Sequence, residues 1–156
     1  MTDWPDAKIF NNVTWEIQRH SITPDEWTYT RISNHHGEII EQLDKATGER
    51  AVVTAMTGDT NWYALTTRRI VGEFDCRRFD VSAHLVAAYD FGRNPKGYGE
   101  VQFGVATITG VDGVQTCLEF ETGRAWMAPE YYFSWWIRKY PRLDVFKFNP
   151  DPNATP

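Results

Sequence analysis

The chain has 156 residues, a mass of 18.1 kDa and a formal net charge of −5. This is the size of one domain, and a content of 42% hydrophobic and 15% aromatic residues excludes a disordered chain. An acidic chain is a poor partner for a phosphate backbone, so nucleic-acid binding is not expected. We predict one folded unit with three parts: an N-terminal extension with a helix (1–48), a β-rich body (49–141) and a tail (142–156).

The first residues, MTDWPDAKIFNN, place Asp3, Pro5 and Asp6 where a secretory signal needs basic and then apolar residues. No window approaches 18 uncharged apolar residues, which argues against a membrane-spanning helix. Cys76 and Cys117 fit two free thiols in a reducing compartment better than a disulfide. The sequence therefore predicts a cytoplasmic protein.

In the N-terminal extension, a helix start is expected at Thr23, where Glu26 three residues on completes the pattern of a capping box. Apolar or half-apolar side chains then recur at helical spacing, and Gly48 supplies a stop: Tyr29, Ile32, His36, Ile39, Leu43 and Ala46. Gly37 and the strand-favouring letters WTYTRIS interrupt the pattern. Residues 24–36 are therefore either helix or strand.

From residue 51 onward, apolar and polar residues alternate and turn signals recur, which is typical of antiparallel strands. The predicted strands are 51–56, 61–67, 68–75, 79–91, 100–108 and 114–122. A final helix begins at Met127 with Pro129 in its first turn, and Pro141 ends it. Its apolar face, which we expect to cover an open end of the sheet, consists of Phe133, Trp136, Ile137 and Tyr140.

The segment NWYALTTRRIVGEF resembles a strand–turn–strand signature of bacterial pleckstrin-homology-like (PH-like) domains, in which a Leu-Thr-x-x-Arg turn joins two apolar strands. The matching positions are Leu65, Thr66, Arg69, Ile70 and Val71. VQTCLEFETG followed by APEYYFSWWIRKY is similar to the last strand and closing helix of that family, so the resemblance covers about residues 49–140.

This resemblance implies a mainly β (α+β) fold: a curled antiparallel barrel capped by a C-terminal helix, here with an N-terminal helical extension. The extension and the insertion DFGRNPKGYG are departures from the family pattern. They leave the strand register and any inherited binding site open.

Several polar residues have side chains of the kind that catalysis uses. His35 and His36 lie beside Glu38, but the His-x-x-x-His spacing of a zinc-binding helix is absent, which favours a solvated or capping role. His84 is expected on the wet face of its strand as an ordinary surface residue. No Gly-x-Ser-x-Gly elbow occurs, and Cys117 alternates with glutamates, which disfavours a thiolate.

The acidic residues Glu119 and Glu121 share one strand face, and such exposed pairs are mostly solvated rather than catalytic. We therefore expect no catalytic residue, no cofactor and no metal.

A surface for interaction is suggested by the concentrated basic residues Arg68, Arg69, Arg77 and Arg78. Glu73 and Asp75 lie between them, which favours salt bridges along the sheet over binding of a lipid headgroup.

The final helix carries more aromatic side chains than one face can bury, and Tyr131 and Trp135 are the surplus. The N-terminal segment, the tail RLDVFKF or another subunit are the candidates to cover them, and self-coverage is favoured.

Three functions follow from these observations. The first is a non-catalytic interaction module on a PH-like scaffold, which binds a protein partner or itself as a homo-oligomer. The second is a lipocalin-like barrel for a small molecule, prompted by the seven tryptophans. The third is an enzyme that uses His36, Glu38 or His84.

Overall fold

The computed structural model describes residues 4–43, 48–98 and 102–140, which fold into three helices and two antiparallel sheets. The helices are α1 (Asp6–Gln18), α2 (Gly37–Gln42) and α3 (Met127–Arg138). The strands are β1 (Thr30–Arg31), β2 (Ala51–Gly58), β3 (Asn61–Thr66), β4 (Arg69–Phe74), β5 (Arg77–Ser82), β6 (Val86–Asp90), β7 (Phe103–Gly110) and β8 (Gln115–Glu121). None of the helices in these ranges has the length and apolarity that a membrane crossing requires.

The first sheet has the order β1-β2-β3-β4-β5 and the second β6-β7-β8. Strand β8 packs across β2, β3 and β4, so that the inner faces of both sheets share one core. The fully buried side chains of this core include Tyr63, Leu65, Ile70, Leu118 and Phe120. The predicted α+β class, with strands from residue 51 and a closing helix, is confirmed.

The predicted barrel is not closed, because in the described ranges no strand pairing joins the two sheets. The strand expected at 79–91 is two strands, β5 and β6, separated by a 3₁₀ turn at Ala83–Leu85. Each sheet holds one end of this turn: the Ala83 N–H donates to the Arg68 carbonyl at 2.9 Å and the Val111 N–H to the Leu85 carbonyl at 2.8 Å. The alternation of buried and exposed side chains breaks at this turn, where Leu85 is half-buried and Val86 is fully buried, and the chain changes sheet here.

The N-terminal region differs most from its prediction. Thr23 has a φ of +48° and no capping side-chain bond, and the capping-box pattern yields only a 3₁₀ turn at Pro24–Glu26. A short strand, β1, follows, and Gly37 begins α2 instead of interrupting a helix. Ala46, Pro141 and the predicted tail lie outside the described residues.

Helix α1 was not predicted, although its apolar side chains recur at a spacing of four: Ile9, Val13 and Ile17, all buried. It packs against α3, and both helices lie on the main core. Phe133 and Trp136 of α3 are buried as expected. The shorter α2 covers the opposite face of the larger sheet, where Ile39 and Leu43 pack on Trp62 and Val71 in a second small core.

The turn between β4 and β5 consists of Asp75 and Cys76, with φ angles of +52° and +65°. A two-residue hairpin with both φ values positive is of type I′, for which Asp-Gly is a preferred sequence and a side chain at the second position is strained. We expect Cys76→Gly to raise the free energy of unfolding by about 0.5–1 kcal/mol in urea titrations. Cys76→Ala is the matched control, and an equal gain from alanine would contradict a backbone origin.

Candidate functional site

The four arginines predicted as a basic surface do not form one patch. The Arg68 guanidinium binds the Asp6 carboxylate at 2.8 Å and so connects the first sheet to α1. This hydrogen bond, and that from the Thr67 hydroxyl at 2.6 Å, lower the pKa of Asp6 below its usual value. Arg68 therefore serves the packing of the N-terminal helix.

Arg69 lies at the centre of an internal network. Its guanidinium donates to the buried Glu49 carboxylate at 2.9 Å, to Asp80 at 2.7 Å and to the Leu43 carbonyl. The Thr66 hydroxyl donates to the same Glu49 at 2.7 Å. Arg68 and Arg69 are therefore held in ion pairs, but their partners are Asp6, Glu49 and Asp80 and not the Glu73 and Asp75 that lie between the arginines in the sequence.

Arg77 and Arg78, at the start of β5, are both exposed and point to opposite faces of the strand. The Arg78 guanidinium lies 5.4 Å from the centre of the Trp62 ring and contacts Gln42 of α2. Arg77 lies on the face that carries Phe79 and Val81, next to the second sheet.

An open groove, which we name the β5–β8 groove, runs between the edge of the first sheet and the edge of the second. One half, of about 350 Å³, is lined by Phe74, Asp75, Arg77, Arg78, Phe79, Gln115, Thr116 and Cys117. The other half, of about 340 Å³, is lined mainly by Val81, Leu85, Ile108, Val111, Val114 and Thr116. Thr116 lines both halves, and the two therefore form one continuous surface.

The groove has apolar side chains at its base and on its rim, and polar or charged side chains also line it, among them Gln115, Asp80, Ser82 and Asp112. Phe79 and Val81 are half-buried and pack on the main core, whereas Val111 and Val114 are 43% and 62% exposed. Exposed valines beside a groove mark an apolar surface, and covering such a surface is energetically favourable. The groove is therefore the strongest candidate for a binding site.

The aromatic side chains Tyr131 and Trp135 are covered by the N-terminal segment, one of the three covers considered above. Trp135 is only 3% exposed and lies 6.0 Å from the Trp4 ring. Tyr131 stacks on His20 with ring centres 3.9 Å apart. Trp135 is therefore a core residue of this chain and not a free surface.

The histidines have structural partners. The Thr54 hydroxyl lies 3.2 Å from His35 Nδ1 and 3.0 Å from His36 Nδ1 and accepts the His36 N–H at 3.3 Å. His36 is buried rather than solvated, and burial lowers its pKa. Glu38 is exposed on α2, and His84 lies in the 3₁₀ turn after β5 instead of on a strand face.

The two glutamates of β8 are bound and not merely solvated. Glu119 accepts the Asn61 side-chain amide at 3.2 Å. Glu121 accepts from the N–H groups of Thr28 and Tyr29, at 3.0 and 2.8 Å, and joins the end of β8 to the segment that leads into β1. In the part of the chain that the structure describes, no group of three His, Cys, Asp or Glu side chains is arranged to hold a metal ion.

Sequence reasoning identified Arg77 and Arg78 but missed the groove beside them. Phe79 and Thr116 both lie in predicted strands, and both line the groove. Nothing in the alternation shows that the facing edges of β5 and β8 stay apart. The only local signal was Val111 and Val114, which lie in and just after the turn before β8.

Known proteins offer no counterpart from which a function could be transferred to the groove. No protein-family model matches the chain, and no curated protein or solved structure is significantly similar to it.

Proposed function

We propose that the protein is a non-catalytic binding module on a PH-like scaffold, and that it binds a segment of another protein in the β5–β8 groove. The observation that carries the proposal is the groove itself: an open channel between two sheet edges, with Phe79, Val81, Val111 and Val114 along it and the exposed cation of Arg77 at one end. Binding sites for protein segments combine such an apolar centre with a few charged positions.

The PH-like scaffold is supported by the role of the Leu-Thr-x-x-Arg turn. The Thr66 hydroxyl accepts the N–H groups of Arg68 and Arg69, at 3.0 and 2.9 Å, and so closes the turn. The buried Tyr132 hydroxyl of α3 donates to the Thr66 carbonyl at 2.6 Å. The turn and the closing helix, which carried the resemblance, are thus connected directly.

The alternatives receive less support from the described residues. A small-molecule barrel needs an interior cavity, but side chains such as Tyr63, Leu65 and Phe120 fill the space between the sheets. An enzyme needs a polar group free to act on a substrate, but His36 is buried and its Nδ1 lies 3.0 Å from the Thr54 hydroxyl. A binding role uses the groove as it stands.

The proposal is tested with a peptide display library of random 12-residue sequences selected on the wild-type protein. Thr116→Arg places a long charged side chain in the middle of the groove, and Arg93→Glu changes an exposed loop residue outside it. We expect selected peptides to bind Thr116→Arg at least about tenfold more weakly and Arg93→Glu unchanged.

Peptides that bind wild type and Thr116→Arg equally would overturn the proposal, as would a library that yields no binder. Sedimentation equilibrium of the wild type and Thr116→Arg examines self-association in parallel. A dimer that only Thr116→Arg dissociates would assign the groove to a second copy of the chain and overturn the assignment to another protein.

A further inference from the structure

We infer that the bound segment is an extended peptide that pairs its backbone with the free edge of β5 and carries an acidic side chain beside Arg77. This inference rests on the proposed function and adds the binding mode and the chemistry of the partner.

Among the described residues, one edge of β5 has no neighbouring strand. Strand β5 pairs with β4 over all six residues, and in the described part of the chain no strand lies on its other side. An unpaired strand edge presents N–H and C=O groups that another strand can bind. Six residues extend over about 20 Å, which suits a peptide of five or six residues.

The register shows which backbone groups are available. A two-residue turn makes the flanking pair, Phe74 and Arg77, a hydrogen-bonded one. The Ala83 N–H also bonds towards this side, to the Arg68 carbonyl at 2.9 Å, and Ala83 is again an odd-numbered residue. The odd-numbered residues of β5 therefore bind β4, and the backbone groups of Arg78, Asp80 and Ser82 point away from it.

The charges along this edge favour one acidic side chain in the partner. Arg78 is placed over Trp62, and Asp80 is bound by Arg69. In the described ranges, no acidic side chain forms an ion pair with the exposed Arg77, which lies beside Phe79 and Val81. Asp75 lines the same end of the groove and disfavours a run of several acids. An acid next to apolar residues fits this pattern.

The size of the groove favours a single segment over a second copy of the chain. Each half measures about 350 or 340 Å³ and is bounded on one side by β8. A strand from a second copy would carry the rest of its sheet with it, and that sheet would have to fit beside the groove. An isolated extended segment needs room only for its own backbone and side chains. A loop or terminus of a partner protein is therefore the proposed occupant.

The probe for the experiment is a fluorescein-labelled, capped six-residue peptide that alternates valine and threonine and ends in glutamate. Two further versions carry N-methyl groups on alternate amides, one on the odd and one on the even positions. Backbone pairing with one edge uses only every second amide, so we expect one version to lose binding and the other to keep it. Fluorescence anisotropy measures the affinities.

The matched protein variants are Ser82→Pro and Ser82→Ala. Ser82 has a φ of −63°, which proline adopts without strain, and its N–H points away from β4, so no ladder bond is lost. We expect Ser82→Pro to weaken binding about fivefold or more and Ser82→Ala to leave it unchanged. Thermal unfolding of both variants verifies that the fold is intact.

The charge is tested with Arg77→Gln and, as control, Arg93→Gln. We expect only Arg77→Gln to weaken binding of the peptide that ends in glutamate. Binding of a peptide that ends in glutamine should be the same for wild type and Arg77→Gln. Equal binding of both N-methylated versions together with full binding by Ser82→Pro would overturn strand addition. If Thr116→Arg still blocks the peptide in that case, the proposed function stands; if Thr116→Arg also binds normally, the groove itself is excluded.

Discussion

Trp135→Ala is expected to lower the free energy of unfolding by about 3–5 kcal/mol, the usual loss for a buried tryptophan. Its ring is 3% exposed and contacts Trp4, Trp136 and Tyr140 at ring-centre distances of 6.0, 5.1 and 6.1 Å. Truncation removes these contacts and leaves a cavity that α1 and α3 are unable to fill. Urea titration with tryptophan and circular dichroism signals measures the change.

The control is Trp15→Ala, on the exposed side of α1. Trp15 is 60% exposed, and its ring lies 4.7 Å from the Arg19 guanidinium. Its loss should change stability by less than about 0.5 kcal/mol. If Trp135→Ala were as mild as Trp15→Ala, the ring would be a surface residue, and its assignment to an interaction surface from the sequence would return.

The same contacts change the meaning of the N-terminal extension. The sequence suggested a region set apart from the β-rich body, but Ile9, Val13 and Ile17 of α1 belong to the main core. The Asp6–Arg68 ion pair and the Arg50 guanidinium, 3.7 Å from the centre of the Phe10 ring, add two polar attachments to the body. Helix α1 is therefore part of the folded unit.

The strands could be predicted well because each depends on local information. Alternation placed β2, β3, β4 and β8 within a few residues, and the Asp75–Cys76 turn falls at the end of the predicted strand 68–75. The final helix was recognisable from Pro129 and from the spacing of Phe133 and Trp136. Period and turn chemistry are properties of short segments, which is why they can be read from the letters.

What failed depends on contacts between distant segments. The capping-box pattern at Thr23 yields only a 3₁₀ turn without a capping bond, and the Glu121 carboxylate binds the backbone of Thr28 and Tyr29 from 93 and 92 residues away. Likewise, the break at Ala83 follows from bonds to Arg68 and Val111. Tertiary bonds of this kind override local propensity.

The candidate site was predictable in part for the same reason. Arg77 and Arg78 are visible as a basic pair, and Phe79 as an apolar strand residue. Whether these residues line a binding surface depends on how β5 and β8 are placed relative to each other, and local sequence does not show this. Arg68 and Arg69 looked equivalent to Arg77 in the sequence, yet their acidic partners lie in α1, before β2 and in β5.

Arg69→Met is the second change with a large expected effect, about 3–5 kcal/mol of unfolding free energy. The Glu49 side chain is 2% exposed, and Arg69 supplies its only ionic partner among the described residues. Methionine fills much of the same space but leaves the Glu49 carboxylate and the Leu43 carbonyl without their donor. A buried charge without a partner costs far more than an exposed pair contributes. Urea titration at neutral pH measures the loss.

The double variant Glu49→Gln, Arg69→Met separates the missing charge partner from lost packing. Because glutamine is neutral and still accepts the Thr66 hydroxyl, we expect the double variant to recover a substantial part of the stability that Arg69→Met loses. Arg78→Met, on the same face of the sheet but exposed, should change stability by less than about 1 kcal/mol. Equal losses for Arg69→Met and Arg78→Met would contradict the central role of the Glu49–Arg69 pair. If the double variant is no more stable than Arg69→Met, the loss comes from side-chain packing and not from an unpaired charge. The Leu-Thr-x-x-Arg turn would then be stabilised by packing of the Arg69 side chain.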